Sequence, residues 1–476
     1  MAILTSKRVP LPPSALVRTG LRRYALETIR ERAIPRITDG MKDGQRIALW
    51  VMKKQSIKKV KTSGLAGHML ASLLYVHGDA SAQQTIQRLA APYQNNICLL
   101  NGEGDFGSYT VPNSYAQPRY TDVARTKTLE DIMWADDELY TMIDNYDGST
   151  KMPDTFLPII PWVLVNGGNG TAMAYNTNFF PRDPKAIVKA TLKILNDSDT
   201  PSRRLVPTYI PLDNAKGKFV EYNKDGKSKW EFSGKVEIKD SSTIIVRDLP
   251  VVSSVSYENY KINVLDKLEE DGAIKGYIDR TSKRYEFEVK FGRGQIKGWA
   301  EDDAINFLKL RREATETLIV LDPTGEHPVT YLYDETHKYP DPAMRLIADW
   351  VEWRLPFYKQ RFEYKLNVAE SELNYWSLIE ACFKHELPAM LQNIQSKTEL
   401  ELCIQAIAER ENISCDDDLA SKISSLPSYR WTIEHRNNAN DKIKHLNGEI
   451  KTFKSVIRSP KKQKDHFIAD VEALGI

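Results

Sequence analysis

Residues 32–46 read RAIPRITDGMKDGQR and lie between two stretches with helical spacing. The first stretch, residues 21–31, ends at Ala33-Ile34-Pro35, because the residue before a proline disfavours helical geometry. The letters DGMKDG at 39–44 then supply turn residues, and the apolar run IALWVMK at 47–53 predicts another helix. The sequence therefore predicts helix, tight turn and helix in this order.

Two more short helices are predicted downstream, in VKTSGLAGHMLASLLY (60–75) and ASAQQTIQRLAAPY (80–93). They are separated by the turn His77-Gly78-Asp79. Short helices on a basic surface are typical of a helix-turn-helix or winged-helix module. The glycine-rich residues 100–120 predict a loop or wing that approaches a ligand closely.

Charge is segregated along the chain. The net charge of +2 argues, taken alone, against a dedicated nucleic-acid binder. Residues 1–128, however, hold 19 Lys and Arg against 8 Asp and Glu, so they carry +11 and the other 348 residues carry −9. The basic part predicts a phosphate-facing surface, although a solvated helix face explains a single lysine cluster about equally well. Residues 129–150 contain seven acids and neither Lys nor Arg, which predicts a helix and turn pointing away from any polyanion.

The rest of the chain divides into a mixed part and a helical part. Residues 157–340 alternate strand-like and helical patterns, which predicts an α+β domain. Beyond 341, Leu346, Trp350, Trp353 and Phe357 share one helical face. Residues 439–457 repeat apolar side chains every three or four positions. We expect these two arms to pair as an antiparallel coiled coil with a small globular cap; ordinary helical core is the alternative for either arm alone.

Length and composition limit the classes of protein. A chain of 476 residues predicts two to four domains, and 41% apolar residues are enough to build their cores. Neither a membrane-spanning stretch nor a secretory signal is recognisable, so we expect a cytoplasmic protein with no membrane partner. The four cysteines are too few and too dispersed for a zinc motif or a disulfide framework, which predicts reduced thiols.

Five motifs together resemble the DNA-cleaving subunit of type IIA topoisomerases, such as the gyrase and topoisomerase IV A subunits. RAIP (32–35) and DGMK (39–42) together resemble the motif that opens that subunit, and HGD (77–79) resembles the turn that follows it in the family. LNGEGDFGS (100–108), RYT (119–121) and VNGGNG (165–170) follow in the family's order. The similarity continues through LPSYRWT (426–432), and the short chain is most similar to the separate medium subunit of T-even-like bacteriophage enzymes.

The resemblance implies a multidomain α+β architecture. It comprises an N-terminal arm (1–25), a winged-helix domain with a catalytic tyrosine (26–150), an α+β tower domain (151–340), and a long coiled coil with a helical C-gate for dimerisation (341–476).

The resemblance also implies a site. Tyr120 would be the nucleophile that forms a 5′-phosphotyrosyl link, and a tyrosine suits this task because it holds a DNA end without losing bond energy. Arg119, Arg32 and His77 would lie in the same pocket and stabilise charge on the phosphate. DNA contacts are expected from four further residues, which are Lys42, Arg46, Tyr75 and Thr171.

Three departures from the family pattern affect these expectations. Tyr75 stands two residues before His77, where relatives commonly have a histidine. Thr171 replaces an isoleucine that wedges between bases, so DNA bending would be weaker or rely on a neighbour such as Met173. The turn after Lys42 lacks the usual Pro-Val.

The sequence contains neither a Walker-type nucleotide loop nor an obvious metal cluster. The densest acidic run, 416–418, is best interpreted as charges at a helix N-terminus. A separate Toprim and ATPase subunit is therefore expected to bind Mg²⁺ and ATP. The expected activity is ATP-dependent passage of one duplex through another by a homodimer, giving relaxation or decatenation. Two alternatives remain: a non-catalytic architectural DNA-binding protein of this fold, and a truncated gyrase or topoisomerase IV A subunit.

Overall fold

The computed structural model describes residues 12–112, 114–197, 204–252 and 256–475. The chain forms two compact units. One extends to Arg354 and includes the stretch from Asp470, and the other is Leu355–Ala469. Part of the predicted N-terminal arm, residues 1–11, lies outside the described residues.

The first described element is a helical segment that runs from Pro13 to Ala33. It alternates α-helical and π-helical turns, which are α1 (Pro13–Leu16), Val17–Leu21 (π), α2 (Arg22–Glu27) and Thr28–Ala33 (π). It ends at Ile34, whose backbone is extended (φ −109°), as the following proline requires.

Three helices and a three-stranded antiparallel sheet follow. The helices are α3 (Asp43–Lys54), α4 (Thr62–Ala71) and α5 (Asp79–Ala90); the strands are β1 (Lys59–Lys61), β2 (Leu100–Glu103) and β3 (Asp122–Arg125), in the order β1-β3-β2. The predicted helices are confirmed, but α4 is shorter than its apolar pattern. Leu73 has a left-handed backbone (φ +59°) that the helix cannot continue through.

A buried ion pair connects the turn before α3 to the rest of the first unit. Arg46 Nε donates to Asp39 Oδ2 at 2.7 Å, and Arg46 Nη2 donates to Asp39 Oδ1 at 3.1 Å. The same carboxylate accepts the backbone N–H groups of Met41 (3.0 Å) and Phe156 (3.1 Å). Burial alone would raise the pKa of Asp39, but Arg46 and these N–H donors hold it below its usual range.

The acidic stretch folds differently from the prediction. It contains helical turns at Leu129–Met133 and Asp137–Leu139, then strand β4 (Met142–Asp144), which pairs with β5 (Lys151–Pro153). It also packs against the basic region, so its orientation away from a polyanion remains a prediction. Lys53 Nζ lies 2.7 Å from Asp137 Oδ2 and 4.8 Å from the centroid of the Trp134 ring. The acids lie against the lysines because opposite charges attract and the indole accepts a cation on its face.

The glycine-rich motif at 165–170 leads into a hairpin. The preceding apolar run has a strand-like pattern but contains the 3₁₀ turn Trp162–Leu164. The hairpin is β6 (Gly168–Ala172) and β7 (Tyr175–Phe179). Gly170 passes so close to the helix end that a Cβ there would lie 1.8 Å from the Ala33 carbonyl oxygen, which only glycine permits.

The middle of the chain is mixed, as predicted. Its helical elements are α6 (Pro184–Leu195), Ile210–Leu212 (3₁₀), α7 (Tyr257–Tyr260), Lys261–Leu265 (π), α8 (Asp266–Glu270) and α9 (Glu301–Phe307). A small pair is β8 (Thr208–Tyr209) with β9 (Ala215–Lys216). A three-stranded sheet has the order β10 (Lys218–Tyr222), β11 (Ser228–Ser233), β16 (Arg311–Thr315). A four-stranded sheet has the order β12 (Lys235–Asp240), β13 (Thr243–Asp248), β15 (Phe287–Lys290), β14 (Gly276–Asp279), and β17 (Leu318–Leu321) pairs with β18 (Pro328–Tyr331).

Helix α10 (Pro342–Arg354) belongs to the core of the first unit. Leu346 and Trp350 are fully buried, and Trp350 Nε1 donates to the Thr38 carbonyl at 2.9 Å. The prediction that Leu346 and Trp350 begin one arm of the hairpin is therefore wrong: their apolar spacing serves a globular core.

The second unit contains two long helices, α11 (Pro356–Lys384) and α15 (Ile433–Ile457). They lie antiparallel, since the rings of Phe362 and Phe453 are 5.8 Å apart and those of Trp376 and His435 are 5.6 Å apart. Between them lie α12 (Leu387–Met390), α13 (Lys397–Arg410), α14 (Asp417–Ser424) and the 3₁₀ turn Ser428–Arg430; α16 (Pro460–Ala473) follows α15. Asp416 caps α14 by accepting the Leu419 N–H at 2.8 Å, which confirms the helix N-terminal interpretation of the acidic run. Among the described residues, no helix is long and apolar enough to cross a membrane.

We predict that Asp39→Asn lowers the free energy of unfolding of the first unit by about 3–5 kcal/mol, because it leaves the buried Arg46 guanidinium without its counter-charge. Urea unfolding measured by tryptophan fluorescence tests this. Asp43→Asn is the matched control: its carboxylate also contacts Arg46 but is partly exposed, so we expect a loss below about 1 kcal/mol. Equal losses in the two variants would contradict the assigned role of Asp39.

Candidate functional site

A cleft of about 1270 Å³ lies in the first unit and collects most of the motif residues. Its walls come from the turn before α3, the turn between α4 and α5, and the β6 strand. The basic side chains that line it are Arg32, Arg36, Lys42, Arg46, His77 and Arg88.

Arg32 and His77 form a hydrogen-bonded pair in this cleft. Arg32 lies on the last helical turn before Ile34, and His77 lies just before α5. Their Nη2 and Nδ1 atoms are 2.8 Å apart. Since a guanidinium can only donate, Nδ1 accepts, and the imidazole proton must be on Nε2. Burial, and then the charge of Arg32, lowers the pKa of His77, so the ring is neutral near pH 7 and can donate from Nε2 to an anion.

Lys42 lies at the N-terminal cap of α3. The side chain of Gln45 accepts the Lys42 backbone N–H at 3.0 Å, which fixes the first turn of the helix. Lys42 Nζ donates to the carbonyl oxygen of Asn169 at 2.7 Å, so the β6 strand holds the ammonium group inside the cleft. Burial, and then the charge of Arg88, lowers the pKa of Lys42.

Tyr120 lies on an exposed turn immediately before β3. The phenol is 66% exposed, and the Arg119 guanidinium carbon lies 4.7 Å from the centroid of its ring. The backbone of this turn is fixed at three points: Tyr120 N donates to Gln117 O (2.8 Å), Ser63 N to Pro118 O (3.2 Å) and Thr62 N to Thr121 O (2.9 Å). The start of α4 therefore positions the turn while the phenol remains accessible.

In one copy of the chain, the Arg32–His77 pair and the Arg119–Tyr120 pair do not line the same cavity. The residues that line the cleft include Arg32 and His77 but neither Arg119 nor Tyr120. Within the described ranges, no hydrogen bond or ring contact joins one pair to the other. The expected single pocket of four residues therefore requires another conformation or another copy of the chain.

Arg46 and Tyr75 line the cleft, but their polar atoms are engaged by other residues of the fold. Arg46 is 1% exposed, and its guanidinium is occupied by Asp39 and Asp43. The Tyr75 ring is buried and its hydroxyl donates to Ser81 Oγ at 2.9 Å. The expected phosphate contacts of these two residues remain predictions, and in this structure their polar atoms are used inside the fold.

Thr171 lies near the tip of the β6–β7 hairpin and is exposed. Its Oγ1 donates to Asn176 Oδ1 across the strands at 3.3 Å. The two-residue turn consists of Met173 and Ala174, where Met173 is 49% exposed and Ala174 has a left-handed φ of +68°. The hairpin therefore presents a methionine at its tip, beside the threonine.

Much of the positive charge in the lysine cluster at residues 53–61 is paired with acidic side chains. Lys59 Nζ lies 2.5 Å from Glu103 Oε2, and Lys61 Nζ lies 2.7 Å from Asp122 Oδ2. Together with the pairing of Lys53, these contacts reduce the charge that this surface offers to a polyanion. The cleft, not the lysine surface, is the better candidate for a phosphate site.

The cleft also contains Arg88, which none of the five motifs includes. Ser81, Thr85 and Arg88 all line the cleft from α5. Their spacing of four and three residues places them on one helix face, and this signal was present in the sequence. No three His, Cys, Asp or Glu side chains in the described part of the chain are close enough to hold a metal ion.

Comparisons with known proteins agree with the motifs. The family model for the A subunit of DNA gyrase/topoisomerase IV matches residues 32–472. The DNA topoisomerase medium subunit of Enterobacteria phage T4 is 28% identical over 387 residues, covering 80% of this chain and 81% of that protein. The DNA gyrase A subunit of Escherichia coli (strain K12) is 29% identical over 290 residues, covering 56% of this chain and 33% of that protein.

Other relatives are much longer than this chain. DNA topoisomerase 2 of Candida albicans is 27% identical over 349 residues, and the match covers 72% of this chain but 23% of that protein. A solved structure of the Plasmodium falciparum topoisomerase II DNA-binding, cleavage and re-ligation domain has the same fold. It gives a TM-score of 0.78 at 22% identity, over 96% of this chain and 64% of that one. Because the family model matches nearly the whole chain, this protein belongs to the family of DNA gyrase and topoisomerase IV A subunits.

Proposed function

We propose that this chain is the DNA breakage and reunion subunit of an ATP-dependent type IIA topoisomerase. The observation that carries the proposal is that Tyr120 is exposed on a turn whose backbone is held by hydrogen bonds. The same chain has a cleft lined by cationic side chains whose N–H groups can donate to a phosphate.

In the proposed reaction, the Tyr120 oxygen attacks a phosphorus of the DNA backbone. The bond from phosphorus to the 3′-oxygen breaks, that oxygen leaves as a 3′-hydroxyl after taking up a proton, and a 5′-phosphotyrosyl bond forms. Resealing is the reverse attack by the 3′-hydroxyl. The number of phosphoester bonds is the same on both sides, so the break is reversible without an external energy source.

Arg32 and His77 would stabilise the charge that develops on the phosphate oxygens. The guanidinium offers its remaining N–H donors, and the neutral imidazole offers Nε2–H. Lys42 would contact a neighbouring phosphate and position the duplex. Arg119, lying over the Tyr120 ring, would keep positive charge beside the nucleophile.

We infer that the complete site forms between two copies of the chain. Tyr120 is accessible and lies outside the cleft that holds Arg32 and His77, so a second copy can supply the phenol without any refolding. A homodimer would then contain two such sites, one for each strand of the duplex.

The other modules would serve the same reaction. The α3–α5 helices with their small sheet would act as a winged-helix domain (26–150), the α+β sheets as a tower (151–340), and the long helices as a coiled coil with a C-gate (341–476). Thr171, with Met173 at the hairpin tip, would occupy the position that bends DNA. A separate Toprim and ATPase subunit would bind Mg²⁺ and ATP, in the cytoplasm of a bacterium or of a phage-infected host.

We predict that Tyr120→Phe abolishes the covalent protein–DNA complex and leaves duplex binding within about twofold of wild type, because only the nucleophilic oxygen is removed. The assay traps the complex with detergent in the presence of Mg²⁺ and the partner subunit. Tyr146→Phe removes an equally exposed phenol outside the motif and is expected to cleave normally. Cleavage by the Tyr120→Phe variant would instead favour an architectural DNA-binding protein or another nucleophile.

Mixed dimers test whether the site is shared. A dimer that pairs a Tyr120→Phe chain with an Arg32→Ala chain retains one intact site if Tyr120 acts in the cleft of the other copy, so we predict nicked plasmid. If each copy used its own Tyr120, both sites would be defective and the plasmid would stay intact.

The reciprocal control combines both substitutions in one chain and pairs it with wild type. This dimer has no intact site under the shared arrangement and one intact site otherwise. Nicking by this control dimer, together with inactivity of the first, would disprove the shared site.

A further inference from the structure

One face of α5 presents polar side chains to the cleft. Ser81, Thr85 and Arg88 are spaced by four and three residues and all line the cavity. This stripe ends in a guanidinium, because Arg88 lies in the last turn of the helix. The rest of the helix contributes Ala82, Ile86 and Leu89 to the core.

The N-terminal turn of α3 lies opposite this face. A Cβ built on Gly44 would lie 3.9 Å from Thr85 Oγ1, so the two helices approach each other closely at this point. Lys42 caps the same turn and extends into the cleft, where its ammonium group donates to Asn169 O. Lys42 and Arg88 therefore approach one part of the cavity from two sides.

Neither cation has an acidic partner among the described residues. Three of the acids that line the cleft are engaged by other bases: Asp43 by Arg46, Asp154 by Arg36 and Asp144 by Lys151. Burial, and then the charges of Asp43 and Glu27, raise the pKa of the fourth acid, Glu31, and nearby Arg32 acts against this rise. Arg88 acts on Lys42 as a like charge, second only to burial in lowering its pKa. Two neighbouring cations without a counter-ion repel each other unless an anion lies between them.

We propose that Lys42 and Arg88 together bind one phosphodiester of duplex DNA, at a subsite separate from the Arg32–His77 pair. The planar guanidinium can hold two phosphate oxygens, and the ammonium group adds a point charge. The subsite rests on the proposed function and extends it: it would hold the duplex at a second point, away from the bond that is cut.

The test is binding of the full chain to a short fluorescent duplex without Mg²⁺, so that no cleavage occurs. We expect Arg88→Gln to raise Kd about tenfold, the size of one lost charge-assisted contact, and Arg88→Lys to recover part of this loss. The matched control is Arg410→Gln, which removes the same exposed charge from the second unit and should bind like wild type. Thermal melting of each variant checks that the fold is intact.

The double variant Lys42→Gln with Arg88→Gln tests whether one phosphate is shared. If one phosphate is shared, the second substitution raises Kd by a smaller factor than the first. The slope of the logarithm of the DNA-binding constant against the logarithm of the salt concentration then falls by about one unit for the pair. The shared subsite is overturned if the two substitutions raise Kd by independent factors, or if the Arg88→Gln variant binds like wild type. Either result leaves the proposed function intact. A wild-type chain that does not bind duplex DNA would overturn both.

Discussion

The buried pair of Asp39 and Arg46 is the constraint on which the site depends. A charge in the interior is tolerated only when it is fully paired and hydrogen-bonded, and here one carboxylate satisfies a guanidinium and two backbone N–H groups. Those contacts connect the turn before α3, the helix itself and the segment at Phe156. The neighbouring Thr38 carbonyl accepts from the Trp350 indole, so the same turn is also fixed to α10. The next residue after this turn is Lys42, whose ammonium group extends into the cleft and donates to the Asn169 carbonyl.

The division of the candidate site into two parts has a physical rationale. A nucleophile that attacks DNA must be accessible, and Tyr120 is accessible because its turn is held by backbone bonds that leave the ring free. Groups that stabilise a phosphate must instead be preorganised, and here Arg32 is hydrogen-bonded to His77 and Lys42 to the Asn169 carbonyl. These demands conflict within one small surface. Under the proposed function, a second copy of the chain would meet both demands by bringing its accessible Tyr120 to this cleft.

Charge along the sequence and charge on the surface are different quantities. The basic segment is rich in lysines that could face a polyanion, yet Lys53, Lys59 and Lys61 are paired with Asp137, Glu103 and Asp122. Each of these acids lies more than 40 residues from its lysine in sequence, so folding alone decides the pairing. Lys42 and Arg88, by contrast, have no acidic partner among the described residues, and both line the cleft. The distribution of charge along the sequence therefore indicated the class of ligand but not its position.

The sequence by itself determined the family, the order of helices and turns around the RAIP and HGD motifs, and the identity of Tyr120, Arg119, Arg32 and His77 as candidates. These follow from local pattern: helix boundaries at proline and glycine, apolar spacing, and short motifs in a fixed order. The family is confirmed by the match over residues 32–472, and the site roles remain predictions. Tertiary structure alone decided that Arg46 and Tyr75 are internal, that Trp350 belongs to a globular core, that the acidic stretch contacts the lysines, and that Arg88 faces Lys42. The reason is that burial and charge pairing depend on residues far apart in the chain, which no local pattern can report.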